Sequence, residues 1–147
     1  MVHVFVYGTL MPGAPNYRVC SRFIVESQPA IAQGDLYALP LGYPAMTVGK
    51  RWIQGYKLRL RDVSALALLD AFEQHNPRIF GHYYPHLKVA QHQYDRREIA
   101  VYDLHQRSLG YAWSYQMEPT QVQRLNGVRL PVSRWSLQRQ HQALQTR

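Results

Sequence analysis

The stretch His3-Val4-Phe5-Val6-Tyr7-Gly8-Thr9-Leu10-Met11-Pro12-Gly13 decides how the rest of the chain is read. Residues 4–7 are continuously apolar, as expected of a strand buried on both faces, and Gly8 to Gly13 breaks that run sharply. Successive backbone N–H groups in such a turn can form a concave nest for a carboxylate or an oxyanion, and glycine permits close approach. A strand ending at glycine is equally an ordinary turn, and both readings stand at this point. It is not a phosphate loop, because neither GxxxxGK[ST] nor GxGxxG occurs in the chain. The N-terminus also lacks the basic start and long apolar core of a signal peptide.

Working outward, residues 31–39 and 52–60 read as strands, with a short extended piece from Tyr43 through Val48 between them. Residues 83–90, 98–104 and 110–116 are further β-leaning segments. The clearest helix covers residues 62–73, with Asp62 as N-cap and Pro77 forbidding much continuation. Many strands and few helices predict an α+β fold, a small mixed barrel or sheet with helices to one side, over an alternating βαβ arrangement. At 147 residues and 46% hydrophobic composition, one domain with a substantial core is expected. That core is expected over residues 1–117. Residues 118–147 form a basic extension, packed on the same domain or on a partner subunit.

The chain carries 17 basic and 9 acidic residues, a net +8 with histidine neutral. Residues 118–147 hold five arginines and one glutamate, half of that excess. Positive charge fits a nucleic acid, an acidic partner or an anionic small substrate. The absence of zinc-finger spacing or an RNA-recognition signature argues against nucleic acid as the main partner. Arg124, Arg129, Arg134 and Arg139 recur every five residues, which scatters them around a helix instead of aligning them in a stripe. No apolar run approaches membrane-spanning length, so a soluble, cytoplasmic protein is expected. A homo-oligomer remains open.

Helical geometry singles out Glu73. Val63, Leu66, Leu69 and Phe72 define an apolar arc, and Glu73 projects within it, close to the direction of Leu66. A carboxylate pointing at the core from the last helical turn is disfavoured as an anion by burial and by the helix dipole, so its proton affinity should rise. Such a group suits a general base that must return its proton. The plain alternative is a helix that frays before Glu73 and releases the side chain into water. Asp70, one turn earlier, reads better as a structural partner for an amide or arginine than as half of a catalytic pair.

Other chemistries are weakly supported. His82 and His86 on an extended segment would stand about 13 Å apart, too far to share an ion, and no HExxH is present. No metal and no cofactor are expected. Cys20, the single cysteine, has no recognisable catalytic partner, and there is no GxSxG elbow.

In order and spacing, Val4 to Leu10, Gly34-Asp35-Leu36-Tyr37, Tyr43-Pro44-Ala45, Leu69-Asp70-Ala71-Phe72-Glu73 and Ala112-Trp113-Ser114-Tyr115 resemble the γ-glutamylcyclotransferase-like superfamily. Tyr84-Pro85-His86-Leu87-Lys88-Val89 is matched to that family's Tyr-x-Arg-x-x-Val strand. The resemblance covers residues 3–116. It implies a small β-barrel with flanking helices, a pocket lined by Tyr7, Gly8, Thr9 and Leu10, and Glu73 as catalytic acid/base. Tyr84 is a further candidate for substrate contact. Two positions depart from the family pattern: His86 stands where arginine is common and Gln74 where glycine is frequent. A histidine at the first would brace the pocket weakly and in a pH-sensitive way. The loop 74–82 is expected either to cover the pocket mouth or to be a plain surface excursion.

The implied activity is a cofactor-independent acyltransferase reaction converting a small γ-glutamyl amine or peptide into 5-oxoproline and a free amine. The alternative is a non-catalytic member of the fold that binds a small acidic ligand or a protein partner, with the arginine-rich tail as its docking element.

Overall fold

The computed structural model describes residues 1–145; the last two residues of the expected extension lie outside it. The apolar opening run forms strand β1 (Val2–Val6), followed by a loop and two single turns of 3-10 helix. A long hairpin comes next, β2 (Ile24–Ala38) and β3 (Pro44–Leu60), then helices α1 (Ser64–Phe72) and α2 (Pro77–Tyr83). Strands β4 (Asp95–Tyr102) and β5 (Ser108–Gln116), helix α3 (Pro119–Arg124), strand β6 (Val128–Arg129) and helix α4 (Leu137–Gln145) complete the described chain. None of these helices is long and apolar enough to cross a membrane.

The six strands are ordered β3-β1-β5-β4-β2-β6, and β2 also pairs with β3, so five strands close into a ring with β6 outside on β2. All pairings are antiparallel except β1 with β5, which meet in parallel at Val4 and Trp113. The fold is the α+β arrangement expected, a ring of strands with a few helices. Val4, Phe5 and Val6 are all buried, because β1 lies inside this ring between β3 and β5 and needs apolar groups on both faces. The main core gathers these residues with Leu36, Ile53, Leu58, Leu69 and Val101.

The hairpin turn carries one wall of the site. Gly42 sits at φ +107°, and its N–H donates to the Leu39 carbonyl while the Leu39 N–H donates to Tyr43. That closes residues 39–43 tightly and fixes where Tyr43 and Pro44 point. The Asp62 carboxylate, expected at the N-cap of α1, accepts from the Ser64 N–H (3.0 Å) from one position before the cap residue Val63. Val63, expected on the apolar arc, is instead exposed, because it precedes the first helical residue.

One expectation changes. Residues 83–90 are not a strand: α2 occupies 77–83, with Asn76 capping it through the Arg78 and Ile79 amides, and a 3-10 turn covers Val89–Gln91. Pro77 does not end structure there; it opens a helix at the N1 position, where its missing N–H costs nothing. The segment 118–145 is built into the same body. Strand β6 pairs with β2, and Val122, Leu125, Leu130 and Trp135 are buried.

Candidate active site

Glu73 lies immediately after α1, and its N–H still donates to the Leu69 carbonyl (2.9 Å). The helix therefore does not fray before it, and the side chain keeps the inward direction that helical geometry predicts. It opens onto three cavities at once. Among the described residues no group hydrogen-bonds or ion-pairs with its carboxyl. Burial alone raises its pKa from 4.5 to about 8.

The first cavity is a narrow cleft of about 30 Å³. Tyr7, Gly8, Thr9 and Leu10 line it together with Pro44, Glu73 and Tyr115. The carbonyls of Gly8 and Thr9 accept from the Met11 and Asn16 amides (3.1 and 2.8 Å), folding the loop back on itself. The N–H groups of Gly8, Thr9 and Leu10 donate no hydrogen bond within the described residues. These are free donors beside a buried carboxyl. Gly8 is required by space: a Cβ there would stand 2.6 Å from Pro44 Cγ.

Tyr7 has a structural task. Its buried hydroxyl donates to the Tyr115 carbonyl (2.5 Å) and accepts from the Met46 amide (3.2 Å), tying the end of β1 to β5 and β3. Burial, then the neighbouring Glu73 charge, lifts its pKa well above the usual phenol value, so it stays a neutral donor. Asp70 is a bracing residue, as its position suggested: it accepts from the Tyr115 hydroxyl (2.6 Å) and pairs with Arg96 (3.1 Å).

Sequence reasoning missed Tyr94 and Arg96. The spacing Tyr-x-Arg-x-x-aliphatic recurs as Tyr94-Asp95-Arg96-Arg97-Glu98-Ile99, and here it does lie on the strand side, running into β4. Tyr94 and Arg96 both line the third cavity with Glu73 and Asp70. Tyr84 is buried in the second core cluster, its hydroxyl donating to the Leu125 carbonyl (2.5 Å), and it lines none of the three cavities on Glu73. His86 is exposed and likewise lies away from them. Arg96, not His86, stands beside Glu73 and Asp70 in the third cavity. Gln74 is exposed and borders the second and third cavities, while Asn76 and Ile79 of the 74–82 segment line the second. That segment thus forms a wall of the site.

Tyr43 and His75 were also unforeseen. The ring of His75 is buried, and its Nε2 can only donate to the His92 carbonyl (2.8 Å), so its Nδ1 accepts from the Tyr43 hydroxyl (2.5 Å). Burial lowers the His75 pKa, in keeping with this neutral tautomer. Cys20 is buried beside Tyr17, and burial raises its thiol to about 11, which removes it as a nucleophile.

A family model described as gamma-glutamyl cyclotransferase, AIG2-like, matches residues 4–137. The match runs past residue 117, where the core was expected to end. An AIG2-like protein from Mus musculus has a similar structure, with a TM-score of 0.56 at 22% identity over 79% of this chain and 76% of that one. YkqA from Bacillus subtilis follows at 0.55 and 20% identity, over 79% of this chain but 35% of its own. An Arabidopsis thaliana protein known from its solution structure gives 0.59 at 18% identity, over 99% and 75% of the two chains. At these identities the likeness is one of fold. No curated protein matches the chain in sequence. Since the family model spans most of its length, this chain belongs to the AIG2-like gamma-glutamyl cyclotransferase family.

Proposed function

We propose that this protein is a γ-glutamyl cyclotransferase, releasing 5-oxoproline and a free amine from a γ-glutamyl conjugate. The observation that carries the reading is a half-buried, unpartnered carboxyl, Glu73, opening onto the same cleft as three free backbone N–H groups. A partly desolvated carboxyl without a partner is costly to a fold, and its retention here suits a ligand that completes it.

In the reaction, the substrate's α-amine nitrogen attacks its own γ-carbonyl carbon and closes a five-membered ring. Glu73, in its ionised form, takes the proton that the amine gives up. Charge developing on the carbonyl oxygen is met by the amides of Gly8, Thr9 and Leu10, fixed in place before the reaction. The tetrahedral intermediate then collapses, the bond to the leaving nitrogen breaks, and that nitrogen receives the proton from Glu73. Atoms and charge balance without a metal or cofactor. The nucleophile is tethered, so most of the catalytic task is holding the folded conformer and moving one proton. A carboxyl with a pKa near 8 both accepts and returns a proton near neutrality.

The test is 5-oxoproline release from a panel of γ-glutamyl amines and peptides by the wild type and by Glu73→Gln. Loss of at least about 100-fold in kcat is expected of the variant. In the wild type, kcat/KM should climb with pH toward about 8 as the Glu73 carboxyl ionises. Full turnover by Glu73→Gln would refute the mechanism. Inactivity of the folded wild type on every conjugate would favour a binding module on the same fold.

A further inference from the structure

The two larger cavities on Glu73 differ in chemistry. The third, about 320 Å³, carries Asp70, Asp95 and Arg96 besides Glu73. The second, about 250 Å³, holds no charged residue other than Glu73. Its walls are Leu41, Phe72 and Ile79 with the rings of Tyr43 and Tyr94, and its polar members are Thr9, Asn16, Gln74 and Asn76, all uncharged amides or a hydroxyl.

The two tyrosines matter most. By composition they would offer hydroxyls, but both hydroxyls are spent elsewhere: Tyr43 donates to His75 and Tyr94 to the Pro44 carbonyl. Each therefore turns a ring, not a donor, toward the cavity. Tyr43 and Tyr94 also pack against each other and against His75, with ring centroids 5.5 to 6.4 Å apart, which fixes that presentation. The result is an aromatic and aliphatic chamber with no cation to receive a carboxylate. It opens at Thr9 and Glu73, where the scissile bond would sit.

Resting on the cyclotransferase reading above, we infer that this chamber receives the leaving group, and that the substrates are γ-glutamyl conjugates of uncharged apolar amines, arylalkyl or branched alkyl. The zwitterionic glutamyl head then lies toward the loop amides and the charged cavity. A leaving group bearing a carboxylate, as in a γ-glutamyl dipeptide or glutathione, would leave that anion partly desolvated with no cation to balance it in the chamber. One bearing a distal ammonium would meet only neutral groups beyond Glu73. Apolar surface entering the chamber is instead removed from water against matched walls.

The test uses four conjugates: γ-glutamyl phenethylamide, γ-glutamyl isopentylamide, γ-glutamylglycine and ε-(γ-glutamyl)lysine. Turnover is read as 5-oxoproline release, and binding is read separately by calorimetry on Glu73→Gln. The two apolar conjugates should exceed the other two by at least about tenfold in kcat/KM and in affinity. Ile79→Arg, which places a cation on the exposed chamber wall, should narrow or reverse the gap in favour of γ-glutamylglycine. Equal or better handling of the charged conjugates overturns the inference while leaving the cyclotransferase reading intact. Tighter binding of the apolar pair without any turnover would sustain the ligand class and sink the reaction instead. Absence of both binding and turnover removes the two together.

Discussion

In the proposed reaction Glu73 would serve function at the expense of stability. Its carboxyl has a pKa of about 8 in the folded chain against 4.5 ordinarily, so between those values the folded state holds a proton that the unfolded chain has lost. Stability contributed by the neutral carboxyl is complete below about pH 4.5, declines as pH rises, and is gone above about 8. Glu73→Gln removes this dependence. Thermal unfolding of the two proteins should coincide near pH 4, with the variant gaining steadily up to pH 8, on the order of 2–3 kcal/mol once partial exposure is allowed for. A difference that does not vary with pH would mean that Glu73 titrates as in an unfolded chain. Together with the activity assay, this separates loss of a catalytic proton from loss of the fold. Glu73 and the Tyr7-to-Leu10 loop were legible in sequence because each depends on local geometry: a helical angle, and a turn after a buried run. Tyr94 and Arg96 were missed because Tyr84-Pro85-His86 precedes Tyr94-Asp95-Arg96 by ten residues with a similar look, and strand pairing places the second segment on β4 beside the cavities.

At the scale of elements, α4 braces the pocket wall from behind. Gln140 is fully buried; its Nε2 donates to the Leu39 and Tyr43 carbonyls (2.8 and 3.2 Å), and its Oε1 accepts from Trp135 Nε1 (2.7 Å). One side chain thus pins the turn that presents Leu41, Tyr43 and Pro44 to the cavities. Gln140→Leu should leave the Trp135 indole N–H buried without an acceptor and cost about 1–3 kcal/mol in urea unfolding. Because the turn loosens, KM should rise more than kcat falls. A purely structural role would lower stability and leave KM unchanged. The strand expected at 83–90 failed for a related reason. Its Tyr-Tyr and Leu-x-Val content is β-leaning, but Asn76 and Pro77 start a helix whose Phe80 packs in the second core cluster, and tertiary burial outweighs weak local preference.

On the scale of the whole molecule, the closed ring of strands depends on the segment after residue 117. Strand β6 covers part of the free edge of β2, and Leu130 and Trp135 enter the main core. Its basic residues also attach to the body, with Arg129 pairing with Asp35 (3.6 Å) and Arg134 lying over the Tyr56 ring (5.7 Å). Ending the chain at residue 117 should therefore abolish cooperative unfolding, measured by circular dichroism on heating. A truncated chain that melts cooperatively near the full-length temperature would restore the picture of a detachable docking tail. By itself the sequence determined the class of fold, the buried first strand, the capped helix and the inward carboxylate. Each of these follows from periodicity and local sterics within a dozen residues. Only the tertiary structure decided that residues 118–145 complete the core, that Tyr94 and Arg96 stand beside Glu73, and that the Tyr43 and Tyr94 hydroxyls are withdrawn from the cavity. Those outcomes depend on which distant groups meet, His75 with Tyr43 across 32 residues and Gln140 with Leu39 across 101, and pairings at such range are set by packing and hydrogen-bond satisfaction in the folded whole.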